Sequence, residues 1–233
     1  MWKDLKKPLN AIRNRGSKVH TLIISGGNID KDFALDFIKE VKPNIIIAVD
    51  KGLEFADHNG ILIDIAIGDF DSVNEDTLWT YQNNGKVRIE TYPDQKDATD
   101  TQLAVEEAIA LGSEQITLLG ATGSRLDHVG GNVNCLMLPL ELGIKASIVD
   151  ANNHISLIRT DATIRKSEQF GEYVSFLPFG GEVTGLYLKG FKYPLNDYTM
   201  DIKATIGISN EIVKEIATVS LATGILMKIE SRD

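Results

Sequence analysis

The chain has 233 residues, with 24 Lys and Arg against 33 Asp and Glu, and a formal net charge of −9. That length holds one large domain or two small ones, and a hydrophobic content of 43% gives ample core; every apolar run stays far below the roughly 18–20 residues of a membrane-spanning helix, which argues against a membrane partner. The single cysteine, Cys135, excludes a disulfide framework and a multi-cysteine zinc site, and it fits a reducing, cytoplasmic compartment.

Residues 1–18 are basic, with Lys3, Lys6, Lys7, Arg13, Arg15 and Lys18 against Asp4. They lack the apolar stretch and small-residue cleavage site of a secretory signal, so a surface-docked arm is expected. Residues 19–159 carry 22 acidic and 10 basic side chains, net −12, whereas residues 160–233 carry 10 and 8, net −2. A field of that sign repels a nucleic-acid backbone, which argues against nucleic-acid binding. A polyphosphate held by the first part would need a metal ion or a local basic cluster.

From Val19 onward, apolar β-type runs alternate with helical patterns. VHTLIIS, NIIIAVD, IDIAIGD, VRIETY and QITLLG read as strands; DKDFALDFIKEV, GLEFADHNG, EDTLWTYQNNG, ATDTQLAVEEAIALG and VGGNVNCLMLPLELG read as helices. Phe33, Phe37 and Val41 share one helix face, as do Val129, Val133, Leu136 and Leu140. Near-continuous hydrophobic strands predict a mostly parallel sheet covered by helices on both faces. Pro139 should kink or interrupt the last helix. After about Asn153 short β-type runs follow one another (HISLIRT, ATIRKSE, YVSFLPF, EVTGLYL, EIVKEIATVSL, ILMKIES), with glycine turns between them. The expected architecture is an N-terminal α/β/α domain over residues 1–153 and a small C-terminal antiparallel β-sandwich over residues 154–233.

Three motifs carry chemistry. In IDIAIGDFDSV a strand runs into Gly68 and presents Asp69 and Asp71; an extended chain would point both carboxylates one way, about 6–7 Å apart, at the strand end where open α/β sheets bind ligands. The competing interpretation is an Asp-rich turn in which Asp71 or Ser72 caps the next helix. In PDQKDATDTQLAV, Asp94, Asp97 and Asp100 lead into a helix with Asp97 as its expected N-cap; carboxylates at a positive helix end suit a hard divalent cation, and simple capping is again the alternative. In LLGATGSRLDHVGGN a strand meets a loop holding Arg125, Asp127 and His128. Gly120, Ala121, Gly123 and Ser124 would let backbone amides approach an anion, while Arg125 offers a fork matched to phosphate. No Gly-Lys-Ser/Thr follows, so it is not a Walker A loop, and no histidine spacing suggests a metal cage. With Asp50 closing NIIIAVD, the acids and the basic glycine loop all fall at one edge of one sheet, a combination suited to phosphoryl transfer.

In order along the chain, AVDKG, IGDFDSV, PDQKDATD, LGATGSRLDH, GFKYPL and GISNE resemble the motifs of the thiamine pyrophosphokinase family, and the resemblance spans essentially everything from Val19 onward. It implies a nucleotide-binding α/β domain for Mg-ATP and a β-sandwich domain for thiamine and dimerisation, in a homodimer with active sites shared between subunits. It implies magnesium and catalytic roles for Asp69, Asp71 and Asp100, with Asp50 nearby and Arg125 on the phosphate charge. Gln95, Thr99, Arg125 and Asp127 fall on nucleotide- or substrate-binding positions, Ser209 and Asn210 on the thiamine-recognition motif, and Tyr193 where an aromatic ring can stack on the vitamin. Two positions depart from the pattern: Lys51 stands where the family often has Gly, and Ser124 replaces the second Gly of a Gly-Gly-Arg. The implied reaction moves the two terminal phosphates of ATP onto thiamine and releases AMP. Two rivals are a haloacid-dehalogenase-type phosphatase, since Asp69 to Val73 also fits Asp-x-Asp-x-Val, and a non-catalytic nucleotide or vitamin sensor. The phosphatase family carries that motif on its first strand, whereas here at least two strands precede it.

Overall fold

The computed structural model describes residues 18–92, 97–123 and 125–233. Most of the basic arm, together with Asp94, Gln95 and Ser124, lies outside the described residues. The chain divides into two compact units, one ending at Ala146 and the other beginning at Ser147.

In the first unit β1 (His20–Ile24), β2 (Ile45–Val49), β3 (Ile65–Gly68), β4 (Arg88–Thr91) and β5 (Gln115–Leu119) form a parallel sheet in the order β5-β1-β2-β3-β4. Helices α1 (Lys31–Val41), α2 (Lys51–His58), α3 (Glu75–Asn84) and α4 (Asp100–Ala110) are the crossovers. From β1 to β4 the chain steps in one direction, then α4 carries it back to β5 on the far side of β1. Right-handed connections therefore put α1, α2 and α3 on one face and α4 on the other. Every residue of β1, β2 and β3 is buried, as a sheet covered on both faces requires. Arg88 on the edge strand pairs with Glu107 of α4, which ties β4 to the helix that begins at Asp100.

Beyond β5 the predicted single helix is two, α5 (Leu126–Asn134) and α6 (Met137–Glu141). The interruption falls at Cys135 and Leu136. Cys135 lies four residues before Pro139, where the proline ring would collide with the carbonyl of a continuous helix.

The second unit begins within β6 (Lys145–Val149), a strand that the sequence reading passes over. With β7 (Asn153–Ile158), β9 (Tyr173–Pro178), β12 (Asn210–Glu211) and β14 (Leu226–Ser231) it makes an antiparallel sheet ordered β12-β9-β14-β7-β6. The second sheet, β11-β10-β13-β8, contains β8 (Ala162–Arg165), β10 (Val183–Lys189), β11 (Leu195–Met200) and β13 (Ile216–Ser220). Val174, Phe176 and Leu226 from the first sheet share one core with Leu186, Leu188, Met200 and Val219 from the second, and Phe176 meets Phe191 edge to face at 5.4 Å. This is a β-sandwich. Among the described residues no helix is long and apolar enough to cross a membrane.

Candidate active site

The site is assembled at the carboxyl ends of β1, β2, β3 and β5. Between β5 and β1 the order of strands reverses, which is where open α/β sheets place ligands. The two loops there touch backbone to backbone: Ser25 N–H donates to the Leu119 carbonyl at 2.8 Å and Gly27 N–H to the Gly120 carbonyl at 2.9 Å. A Cβ on Gly27 would stand 2.4 Å from the Gly120 oxygen and 3.2 Å from Gly123 Cα. Only glycine permits that approach, and the result is a close-packed pair of glycine loops at the strand ends. Asn132 on α5, buried, donates to the Ala121 carbonyl at 2.8 Å and holds the β5 loop from below. Ser25 Oγ lies 3.2 Å from Thr101 Oγ1, joining the end of β1 to the first turn of α4 beside Asp100.

Asp50 closes β2 with φ 46°, a conformation unfavourable for a non-glycine residue. Its Oδ1 is 1.9 Å from the point that a Cβ on Gly68 would occupy, so the carboxylate lies directly against the end of β3. Lys51 follows as the first, exposed residue of α2. The chain does not stay extended past Gly68, as the two-apart acids suggested. Phe70 turns it with φ 59° and buries its ring, and Asp71 N–H donates to Asp69 Oδ1 at 3.1 Å. The same-direction geometry of an extended strand is therefore replaced by a tight acidic turn.

The capping alternatives fail at both acidic motifs. Helix α3 is capped by Asn74, whose side chain accepts from Asp76 and Thr77 N–H, and not by Asp71 or Ser72. Helix α4 is capped by Thr99, which accepts from Gln102 N–H at 3.2 Å, and not by Asp97; Asp100 is its first residue. Thr99 thus has a structural duty at the position expected to contact ligand, and Asp71 and Asp100 sit at helix entries without serving as the caps.

Arg125 is the N-cap residue of α5, and Asp127 and His128 belong to the first turn of that helix, not to the loop. Arg125 grips Asp127 with a two-point fork, Nε to Oδ1 at 3.2 Å and Nη2 to Oδ2 at 2.6 Å. That bond, aided by the His128 N–H, holds the Asp127 carboxyl down at about 2, and the partnership raises Arg125 in turn. Two of the five guanidinium N–H groups are engaged, so Nη1 keeps its donors for an anion.

Among the described residues no three Asp, Glu, His or Cys side chains converge into a preformed metal cage. The donors at the mouth are carboxylate oxygens, which fit magnesium, an ion that commonly binds through one or two carboxylates together with substrate phosphates.

In the second unit Tyr193 is half exposed and Asn210 is buried. Ser209, exposed, has φ 54°, and its N–H donates to Ser175 Oγ at 3.0 Å. Ser25, Gly26, Gly27, Thr101 and Asn132 escaped the sequence reading. The small-residue run after β1 was a usable signal for the first three; Thr101 and Asn132 had none.

The Asp69–Asp71 turn after β3, Asp100 at the head of α4 and the close-packed glycine loops after β1 and β5, in a chain that also carries a β-sandwich, define the class: a two-unit α/β protein with polar groups at its strand and helix ends. Residues 37–148 match the family described as thiamin pyrophosphokinase, catalytic domain, and residues 161–226 match thiamin pyrophosphokinase, vitamin B1 binding domain. Over 187 residues the chain is 35% identical to the thiamine pyrophosphokinase of Bacillus subtilis (strain 168), covering 80% of this chain and 87% of that one. The crystal structure of the Bacillus subtilis thiamine pyrophosphokinase matches with a TM-score of 0.82 at 32% identity, over 92% of this chain and 99% of that chain. The thiamin pyrophosphokinase of Geobacillus thermodenitrificans matches with a TM-score of 0.79 at 32% identity, over 92% and 98%. The chain belongs to the thiamine pyrophosphokinase family. Neither the phosphatase nor the sensor alternative is favoured, and the Asp-x-Asp motif follows the third strand.

Proposed function

We infer that the protein transfers the pyrophosphoryl group of ATP to the hydroxyethyl oxygen of thiamine, giving thiamine diphosphate and AMP. The observation that carries this is the pair of acidic motifs, Asp69 with Asp71 after β3 and Asp100 at the head of α4, where α3 and α4 are capped by other residues. The hydroxyl oxygen attacks the β-phosphorus, the bond from that phosphorus to the α,β-bridging oxygen breaks, and the hydroxyl proton is lost. A magnesium ion carried with the nucleotide would be held by Asp71 and Asp100, with Asp69 beside them, and would neutralise charge on the transferred group and on AMP. The glycines of the loops after β1 and β5 leave room for phosphate oxygens to approach the backbone. Arg125, steadied by Asp127, directs its remaining donors at the same charge; Asp50, Gln95 and Thr99 complete the nucleotide side.

Thiamine is assigned to the second unit, through Ser209, Asn210 and Tyr193, all within the stretch matched to the vitamin B1 binding domain. The protein works as a cytoplasmic homodimer in which the first unit of one chain and the second unit of its partner make each site. Supporting this, Tyr193 of the second unit, where an aromatic ring would meet the vitamin, is exposed rather than packed in its own core.

Chromatography of the products tests the reaction: AMP with thiamine diphosphate is expected, and ADP with thiamine monophosphate would reject it. Mixing an Asp71→Asn chain with a Tyr193→Ala/Asn210→Leu chain under verified subunit exchange, at a thiamine concentration so low that each is inactive alone, tests the shared site. Half the dimers are then mixed and each keeps one intact site, returning about a quarter of wild-type activity; no recovery would refute sharing and leave the reaction standing.

A further inference from the structure

Asn210 is 1% exposed, although Ser209 before it is exposed. Its carboxamide closes on the backbone of one residue: Tyr193 N–H donates to Oδ1 at 2.9 Å, and Nδ2 donates to the Tyr193 carbonyl at 2.7 Å. A group that accepts from a residue's N–H and donates to the same residue's C=O does what a facing peptide does in a hydrogen-bonded antiparallel pair. The Asn210 Oδ1 also accepts from Glu211 N–H at 2.9 Å, which occupies both of its lone pairs and leaves one Nδ2 hydrogen.

The neighbours of Tyr193 are fixed to the same short strand. Lys192 N–H donates to the Glu211 carbonyl at 2.9 Å, Lys192 Nζ meets Glu211 Oε1 at 2.6 Å, and Phe191 bridges to Ile212. Pro194 restricts Tyr193 from the other side, since the residue before a proline is confined to extended conformations. Tyr193 as a whole is 54% exposed, with the Lys192 ammonium 5.6 Å from its ring centroid. So rigid a mount beneath so exposed a residue is unusual in a loop, and it suits a ring that must be in place before its ligand arrives.

We propose that Asn210 is a positioning residue for thiamine, acting through Tyr193 by fixing its backbone and making no contact of its own with the vitamin. This rests on the assignment of thiamine to the second unit. Only asparagine meets the requirement: aspartate lacks the donor and sets a charge against the Tyr193 carbonyl, glutamine is a methylene too long, and alanine reaches neither group.

The test uses the full chain with Asn210→Ala, Asn210→Asp, Tyr193→Ala, Tyr193→Phe and the Asn210→Ala doubles with each Tyr193 variant. Thiamine is varied at saturating Mg-ATP, and hydrogen exchange of the Tyr193 amide is followed without substrate. Asn210→Ala is expected to raise the thiamine KM about three- to tenfold, the cost of ordering a side chain at binding, with kcat and the ATP KM unchanged and Tyr193 amide exchange faster. The KM effect should vanish in the Tyr193→Ala background and persist with Tyr193→Phe. Effects of Asn210→Ala and Tyr193→Ala that multiply, or a Tyr193→Ala chain with unchanged thiamine KM, would overturn the proposal. Should Asn210→Ala fail to fold, Asn210→Asp, which keeps the volume, carries the same comparison. A wild type inert with thiamine would sink the functional assignment; an active wild type whose Asn210 variants leave the thiamine KM untouched would sink only this inference.

Discussion

Gly27→Ala perturbs the site while leaving every charge in place. Neither Gly27 nor Gly26 has a positive φ, so alanine is free to adopt either backbone and the test is purely steric. At Gly27 the new Cβ would lie 2.4 Å from the Gly120 carbonyl oxygen, where ordinary contact begins at 3.4 Å, and both parties are backbone. The β1 and β5 loops must therefore part by about 1 Å, which at a substrate-positioning loop costs on the order of a hundredfold in rate. Overpacking of this kind destabilises by about 1–3 kcal/mol, and each kcal/mol lowers Tm by roughly 2–4 °C in a chain of this size. At Gly26 the Cβ would meet the Lys51 Cβ at 3.3 Å, which yields with a shift of a few tenths of an ångström. Thermal melts and kcat/KM for Mg-ATP at saturating thiamine, measured on both variants, should separate them: Gly27→Ala impaired roughly a hundredfold and melting several degrees lower, Gly26→Ala within about threefold of wild type. Equal behaviour of the two, or a Gly27→Ala chain with wild-type kcat/KM, would refute the close approach of the loops as the element that shapes the nucleotide side of the site.

Asp71→Asn and Asp100→Asn should each lower turnover by about a hundredfold or more with unchanged circular dichroism and a raised magnesium requirement, and near-wild-type turnover in both would return these acids to a structural role. Burial opposes ionisation of Glu230, but the bond from His154 and the charge and bond of Lys228 overcome it and bring the carboxyl from 4.5 down to about 2. The resulting stabilisation, on the order of 3 kcal/mol, is present above the unfolded value near 4.5 and is lost as pH falls toward 2; Glu230→Gln should melt lower at pH 7 and converge on wild type between about pH 5 and 2, and a pH-independent difference would contradict this. Ser209→Gly relieves the φ of 54° and should stabilise by at most about 1 kcal/mol while raising the thiamine KM. Ser209→Ala should raise the KM equally without the gain in Tm, and unchanged KM in both would remove the Ser209 hydroxyl from the thiamine side.

The first-unit strands and helices are legible because their signals are dense: NIIIAVD and IDIAIGD are apolar throughout, and each helix has a single apolar face. Three strands escape the pattern: β12, with only two residues, and two that are weakly marked. In β6, Lys145, Ala146 and Ser147 precede the two apolar residues; in β11, Asn196, Asp197 and Thr199 interrupt the apolar ends. Strand β11 lies at the edge of its sheet, where one side has no partner to exclude polar side chains. The N-cap of α4 was misplaced by two residues because Asp97 and Thr99 are both good caps, and only the start of the helix decides between them. The turn at Phe70 has no local signal at all, since nothing in a phenylalanine announces a positive φ. Asn210 is visible as part of a motif, but the engagement of its amide by Tyr193 depends on a contact 17 positions away in the chain.

Backbone strain and motif chemistry coincide at this protein's site. Among the described residues the non-glycine residues with positive φ are Lys42, Asp50, Phe70, Asp197 and Ser209. Lys42 ends a helix and returns its N–H to Ile38, an ordinary use of the left-handed region. Asp50, Phe70 and Ser209 fall within three of the motifs selected for their chemistry. Such conformations cost about 1–3 kcal/mol each and persist only where surrounding contacts over-determine them. For Asp50 the contacts are its N–H to the Ile67 carbonyl at 3.2 Å and its carboxylate against Gly68. Phe70 has its buried ring and the bond from Val73 N–H to its carbonyl, and Ser209 has the Ser175 hydroxyl. In each case the strain does the same thing: it bends the chain at a strand end or before a short strand, so that the next polar group leaves the regular direction of the sheet. A relaxed backbone at Phe70 would continue β3 and separate Asp69 from Asp71 along a strand, whereas the strained one folds Asp71 back onto Asp69. The acidic cluster is thus made by the turn as much as by its charges, and an Asp-x-Asp motif on an unstrained strand would not reproduce it.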